Sequence, residues 1–188
     1  TEYLARLDKK KNFGMMLLNN KLKVVPFTTH IPLKDVFKHI KQKPLLEAVK
    51  LLNQSLKENF GIKKPKIAIT GLNPHSGDGG LLGNEENKII LPVIKKSLKR
   101  GILITGPLSA DSAFQDKNLK LFDAFLCMYH DQALIPVKTI DFDNTINYTL
   151  GLSFVRTSPD HGTGYDIANK AVASETSLVT AINYAAKI

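Results

Sequence analysis

Apolar positions along the chain follow two different periods. Short runs dense in apolar residues alternate with longer stretches in which apolar residues recur at steps of three and four. Met15-Met16-Leu17-Leu18 and residues 22–27, with the Val24-Val25 pair, are short enough for strands, and Asn19-Asn20 between them reads as a turn. From Pro44 onward, Leu45, Val49, Leu52, Leu56 and Phe60 line one face of a helix, with Pro44 at its start and Gly61 just past its end. Residues 66–70 predict a buried strand and residues 71–83 a loop. A second helix opens near Asn84, with Ile89, Ile90, Val93, Ile94 and Leu98 facing one way. Pro92 inside it predicts a kink, and Gly101 predicts its end. Residues 102–105 and 122–128 read as further strands, the stretch from His130 as loop-rich, and a last helix runs from about Ser177 toward Ile188.

Strand and helix alternating in this way predict an α/β architecture with a mainly parallel sheet, whose ligand loops gather at the carboxyl ends of the strands. Composition is that of a folded, soluble protein. A 43% hydrophobic share with 23% charged residues argues against disorder. No apolar run approaches the ~18 residues of a membrane span, so no membrane partner is expected. The net charge of +9 raises nucleic acid as a partner. The lysines nevertheless fall in short scattered groups such as Lys9-Lys10-Lys11 and Lys63-Lys64, without interleaved aromatics, so no nucleic acid is expected and an anionic small molecule fits the same field better. No signal peptide is visible, and the cytoplasm is the default compartment. The lone Cys127 sits in an apolar run and reads as a buried structural thiol. The chain begins at Thr1, not Met, and its opening residues read as mid-protein helix, so a piece of a longer chain is expected.

Four of the five histidines, His30, His75, His130 and His161, lie just after strand-like stretches; His39 is the exception. Three neutral imidazoles on one face of a sheet would bind a zinc-type divalent ion and leave an open position for substrate. His75 is followed by Ser76-Gly77-Asp78-Gly79-Gly80, a run whose glycines call for close backbone approach or positive φ. That loop lacks the features of a Walker motif or a dinucleotide fingerprint. Lys138, Asn147 and Arg156 are candidates to converge on phosphate or carboxylate. Asp131 beside His130 serves either to orient that imidazole or to cap a helix.

Gly71-Leu72-Asn73-Pro74-His75-Ser76-Gly77-Asp78-Gly79-Gly80-Leu81-Leu82-Gly83, Met128-Tyr129-His130-Asp131-Gln132 and Arg156-Thr157-Ser158-Pro159-Asp160-His161-Gly162-Thr163 resemble the signature loops of the 4-hydroxythreonine-4-phosphate dehydrogenase family of pyridoxal phosphate biosynthesis. Thr28-Thr29-His30-Ile31-Pro32-Leu33, Gly106-Pro107-Leu108-Ser109-Ala110-Asp111 and Asn147-Tyr148-Thr149-Leu150-Gly151-Leu152 match as well, in order and spacing.

The resemblance implies an isocitrate/isopropylmalate dehydrogenase-like fold, with two α/β/α domains flanking an active-site cleft and the N-terminal part lying outside this chain. Residues 1–120 would form the metal-binding and dimerisation domain, and 121–188 part of the nucleotide- and substrate-binding domain. It further implies a divalent metal (zinc, magnesium or cobalt) on His30, His75 and His130, with His130 supplied by the neighbouring subunit of a homodimer. Substrate contacts fall on Thr1, Lys138, Asn147 and Arg156, and contacts to NAD or NADP on His161 and Asp166. The implied reaction is oxidation of the C3 hydroxyl of 4-phosphohydroxy-L-threonine, with loss of carbon dioxide to give 3-amino-2-oxopropyl phosphate. The alternatives are a paralogous dehydrogenase of a phosphorylated sugar acid (a threonate or erythronate phosphate), a zinc hydrolase, for which no carboxylate near His75 or His130 is suitably placed as general base, and a basic nucleic-acid-binding module.

Overall fold

The computed structural model describes residues 1–160, 162, 164–170 and 172–188. A short helix α1 (Glu2–Leu7) leads into strands β1 (Gly14–Leu18) and β2 (Lys23–Pro26). The turn between them forms because Asn19, buried, accepts the backbone N–H groups of Lys21 and Leu22 on its side-chain oxygen at 2.9 and 3.0 Å. A 3-10 turn (Leu33–Asp35) and helix α2 (Val36–His39) then precede the long helix α3 (Gln42–Glu58). Leu45, Val49, Leu52 and Leu56 are all fully buried on its predicted face. Beyond it, Gly61 takes φ +67 and the Ile62 N–H returns to the Leu56 carbonyl at 3.0 Å.

Strand β3 (Lys66–Thr70) feeds a 3-10 turn (Pro74–Gly80), then a π-helical turn (Glu86–Ile90) that runs into helix α4 (Leu91–Leu98). The irregularity expected at Pro92 is this π turn. Proline lacks the N–H that would bond the carbonyl four residues back, and that carbonyl, on Lys88, instead accepts the Gln42 side-chain amide at 2.8 Å. Strand β4 (Leu103–Leu108), helices α5 (Ala110–Ala113) and α6 (Asp116–Leu121) and strand β5 (Ala124–Cys127) follow. Helix α7 (His130–Ile140), strands β6 (Ile146–Leu150) and β7 (Thr157–Pro159), a 3-10 turn (Tyr165–Ile167) and helix α8 (Thr176–Lys187) complete the chain.

The strands form one sheet in the order β4-β3-β5-β2-β1-β6-β7. Strands from both sides of residue 120 alternate in it, since β5 lies between β3 and β2. The expectation of a mainly parallel sheet is corrected to a mixed one. β4, β3, β5 and β2 pair in parallel, whereas β2-β1, β1-β6 and β6-β7 pair antiparallel. The physical reason is the tight Asn19 turn, which can only join antiparallel neighbours. The stretch after His130 also holds more regular structure than a loop-rich reading allows, because Pro136 inside α7 interrupts the helical pattern that would announce it.

Both sheet faces are covered, which explains the continuous apolar runs of β3 and β5. Met16, Leu18, Ile67, Ile69 and Leu126 pack into one cluster with α3 and α4. Leu17, Ala68, Phe125 and Cys127, the alternate residues of the same strands, pack with Ala133 and Val137 of α7. Burial raises the Cys127 thiol above its usual range, consistent with a structural rather than reactive cysteine. Among the described residues no helix is long and apolar enough to cross a membrane.

Candidate active site

The parallel half of the sheet decides where the histidines go. β3, β5 and β2 are neighbours running the same way, so their carboxyl ends share one sheet edge. The chain leaves β3 toward His75, β5 directly into His130 and β2 toward His30. His30 and His130 come together, with ring centroids 6.0 Å apart. They line a pocket of about 530 Å³ with Thr29, Ile31, Tyr129 and Asp131. In the first turn of α1 the Glu2 carboxyl is held below its usual range, chiefly by a backbone N–H. His39, at the end of α2, is exposed.

His130 opens α7, and Tyr129, not Asp131, occupies the capping position. Asp131 takes the other role open to it in the sequence. Its Oδ1 lies 2.7 Å from His130 Nδ1, which engages one ring nitrogen and leaves Nε2 for a ligand.

The His75 turn departs most from ordinary backbone. Six successive residues, His75 through Gly80, have positive φ values of 50, 52, 82, 43, 65 and 111°. His75, Ser76 and Asp78 are not glycines, and each pays roughly 1–2 kcal/mol for the left-handed region. Such strain persists only where surroundings over-determine it. Glu86, 2% exposed, supplies much of that constraint. Its Oε1 accepts the Leu72 and Asn73 backbone N–H groups at 2.7 and 2.8 Å, and its Oε2 accepts the Asn73 side-chain amide at 2.9 Å. Ser76 Oγ donates to the Pro107 carbonyl at 3.2 Å, and Asn87 donates to the Gly79 carbonyl at 3.1 Å. Beside this network the Glu85 carboxyl is lowered, first by its hydrogen bond from Asn73.

Gln132, also buried, joins the ends of β3 and β5. Its oxygen accepts Thr70 Oγ1 at 2.6 Å and the Met128 N–H at 2.7 Å, and its amide donates to the Gly71 carbonyl at 2.8 Å. One side chain thus ties the root of the His75 turn to the strand end that presents His130.

The anion-binding candidates lie toward the antiparallel half. Lys138 is on α7, about two turns beyond His130. Its Nζ lies 3.2 Å from Asp160 Oδ2 and 5.4 Å from the Phe142 ring centroid. Arg156 Nη1 donates to Thr149 Oγ1 at 3.2 Å. Asn147, on β6, holds a side-chain oxygen that is buried without a hydrogen-bond partner among the described residues. An orphaned buried acceptor of this kind fits a residue whose partner is a ligand donor. Thr1 precedes α1 and is half-buried. His161 lies outside the described residues, as does the side chain of Asp166.

Among the described residues no group of three or more His, Cys, Asp or Glu side chains is gathered to hold a metal within one chain. His30 and His130 meet; His75, exposed on the turn after the adjacent strand, closes no three-ligand group with them. The donor chemistry still suits a divalent ion, because three imidazoles end neighbouring parallel strands and one of them has its second nitrogen fixed by a carboxylate. Sequence reasoning missed Glu86, Gln132 and Asp160. Glu86 carries a signal in retrospect, a charged residue on the helix face that Ile89, Ile90 and Val93 mark as interior.

Comparison with known proteins places these loops in a wider set. The sequence profile of the family "Pyridoxal phosphate biosynthetic protein PdxA" matches residues 1–185. The 4-hydroxythreonine-4-phosphate dehydrogenase of Sulfurihydrogenibium sp. (strain YO3AOP1) is 53% identical over 185 residues, covering 98% of this chain and 57% of that protein. The enzyme of the same name from Aquifex aeolicus (strain VF5) is 49% identical over 182 residues, covering 97% of this chain and 56% of its own length. The chain therefore spans a little over half the length of these curated relatives. A crystal structure of 4-hydroxythreonine-4-phosphate dehydrogenase from Klebsiella pneumoniae superposes with a TM-score of 0.89 at 37% identity, over 98% of this chain and 56% of that one. That of a terephthalate 1,2-cis-dihydrodioldehydrogenase from Burkholderia xenovorans LB400 superposes with a TM-score of 0.79 at 29% identity, over 98% of this chain and 59% of that one. The α/β dehydrogenase-like fold expected from the motifs is thus the fold of these neighbours.

Proposed function

Because the chain belongs to the pyridoxal phosphate biosynthetic protein PdxA family, we propose that the protein it forms oxidises 4-phosphohydroxy-L-threonine with NAD or NADP and a divalent metal, releasing carbon dioxide and 3-amino-2-oxopropyl phosphate. The observation that carries this reading is the run of three adjacent parallel strands, β3, β5 and β2, leading at one sheet edge to His75, His130 and His30. A zinc, magnesium or cobalt ion held by these imidazoles would supply a Lewis acid next to the substrate's C3 hydroxyl, and a nicotinamide would supply the hydride acceptor.

The chain's own residues would do the rest. Asp131 holds His130 Nδ1 and so keeps Nε2 turned outward. The unpaired Asn147 side-chain oxygen offers an acceptor to an amino or hydroxyl group of the substrate. Lys138 and Arg156 supply charge for phosphate and carboxylate, and Lys138 exchanges its contact with Asp160 for the substrate's anion. Thr1 completes the substrate contacts, and His161 and Asp166 serve the nicotinamide cofactor. In a homodimer His130 would be contributed by the second subunit, so that each chain's sheet edge supplies His30 and His75 to one site and His130 to the other. The setting is cytoplasmic.

The test is NADH formation by the full-length protein with 4-phosphohydroxy-L-threonine, after chelation and again after divalent metal is restored. Turnover that returns with metal supports reaction and site together. The second reading, oxidation of a phosphorylated sugar acid, draws on the likeness to a dehydrogenase named for a different hydroxylated substrate. Activity on threonate or erythronate phosphate, with none on the amino acid, would move the protein there.

A further inference from the structure

We propose that Glu86 is the positioning residue that holds His75 in its ligand-binding orientation; this rests on His75 serving as a metal ligand. Two features single Glu86 out. It is buried at 2% exposure, and among the described residues its oxygens accept N–H groups alone, from Leu72, Asn73 and the Asn73 side chain. No ion pair with a lysine or arginine compensates it among the described residues. All three donors belong to Leu72 and Asn73, two of the four residues that lead from β3 to His75, so the carboxylate grips the entry to the turn.

It also backs the turn itself. A Cβ at Gly77 would lie 2.7 Å from Glu86 Oε2, and one at Gly71 would lie 3.1 Å from Oε1. The run of positive φ from His75 to Gly80 is therefore wrapped against one carboxylate that touches its root and its middle. Glutamine cannot replace it fully, because one of the two oxygens becomes an NH2 group facing donors. The π turn that begins at Glu86 puts this carboxylate under the His75 turn, while the predicted apolar face of the same helix packs against α3.

The experiment compares the full-length protein with its Glu86→Gln and Glu86→Asp variants by amide hydrogen exchange and by Zn²⁺ affinity measured against a chelator. Glu86→Gln is expected to speed exchange of residues 72–83 by about tenfold or more while β3 and β5 keep their protection, and to weaken Zn²⁺ binding about 10- to 100-fold. Glu86→Asp, which keeps both oxygens, should recover part of both, and it carries the test if the glutamine variant does not fold. KM for the phosphorylated substrate should change little while kcat at fixed low metal falls. Unchanged exchange at 72–83, unchanged Zn²⁺ affinity, or a loss of protection spread evenly over the core strands would each overturn the proposal. A wild-type protein that binds no Zn²⁺ would remove the metal reading on its own account, and with it the role given to His75.

Discussion

Glu86 accepts the backbone N–H of Asn73 at 2.8 Å on one carboxylate oxygen and the side-chain amide of Asn73 at 2.9 Å on the other. The residue two places before His75 is thus gripped through backbone and side chain at once, by a group from a different element. The shape of this sheet edge owes most to that grip and to the one Gln132 exerts beside it.

Gly77 and Gly61 form a matched pair for testing how tightly the His75 turn is packed. Both have positive φ, +82 and +67°, yet a Cβ at Gly61 meets nothing within 4 Å, whereas one at Gly77 meets Glu86 Oε2 at 2.7 Å and the Gly83 carbonyl at 2.9 Å. Gly61→Ala should cost about 1 kcal/mol, the left-handed backbone alone. Gly77→Ala adds the clash and should cost about 3 kcal/mol in all. Urea unfolding of the two variants side by side checks the difference; equal losses would mean that the turn yields freely.

Gln132 satisfies three groups at the ends of β3 and β5 with one amide. Gln132→Met keeps the volume but leaves the Met128 N–H and the Gly71 carbonyl short of a partner and the Thr70 hydroxyl with only its long 3.5 Å contact to the Leu126 carbonyl. A loss on the order of 3 kcal/mol is expected, read as a lower urea midpoint with an unchanged slope.

Asp131 is 71% exposed, so Asp131→Ala should leave stability within about 0.5 kcal/mol of the parent. The variant frees the His130 ring, whose Nδ1 no longer has an acceptor, and metal affinity should fall about 10- to 100-fold. Chelator competition and thermal melting on the same samples separate the two effects. A variant that binds metal as well as the parent would show that Asp131 does not orient the imidazole.

Asp8 links the end of α1 to the segment after β6, accepting the Ser153 N–H at 2.7 Å and the Ser153 hydroxyl. Those two hydrogen bonds hold its carboxyl below the usual aspartate range, the hydroxyl contributing most. A depressed folded pKa contributes stability that is present above the unfolded value and is lost as pH falls through the folded one. Asp8→Asn should therefore destabilise the protein at neutral pH and make no difference once the pH is well below about 3.9. Urea midpoints of both proteins at the two pH values give the answer, and a gap that persists in acid would contradict it.

The sequence by itself determined the elements whose pattern is local. The three-and-four spacing of Leu45, Val49, Leu52 and Leu56 placed α3, and the apolar runs at β3 and β5 announced strands covered on both faces. It also marked His30, His75 and His130, because a histidine just after a strand and a run of glycines are features of adjacent residues. The family was legible in those same motifs.

Tertiary structure alone decided the rest. Only strand order brings His30 and His130 to 6.0 Å, since residues one hundred apart in sequence become neighbours through the parallel pairing of β2 and β5. Pro136 hid α7 from any periodicity, and the antiparallel half of the sheet depends on a pairing of β1 with β6 across most of the chain. Gln132 was illegible for the same reason, and Glu86 showed only its place on an apolar helix face. A carboxylate or an amide in a sequence reads as solvent-facing, and burial becomes tolerable only when donors and acceptors from distant segments close around it.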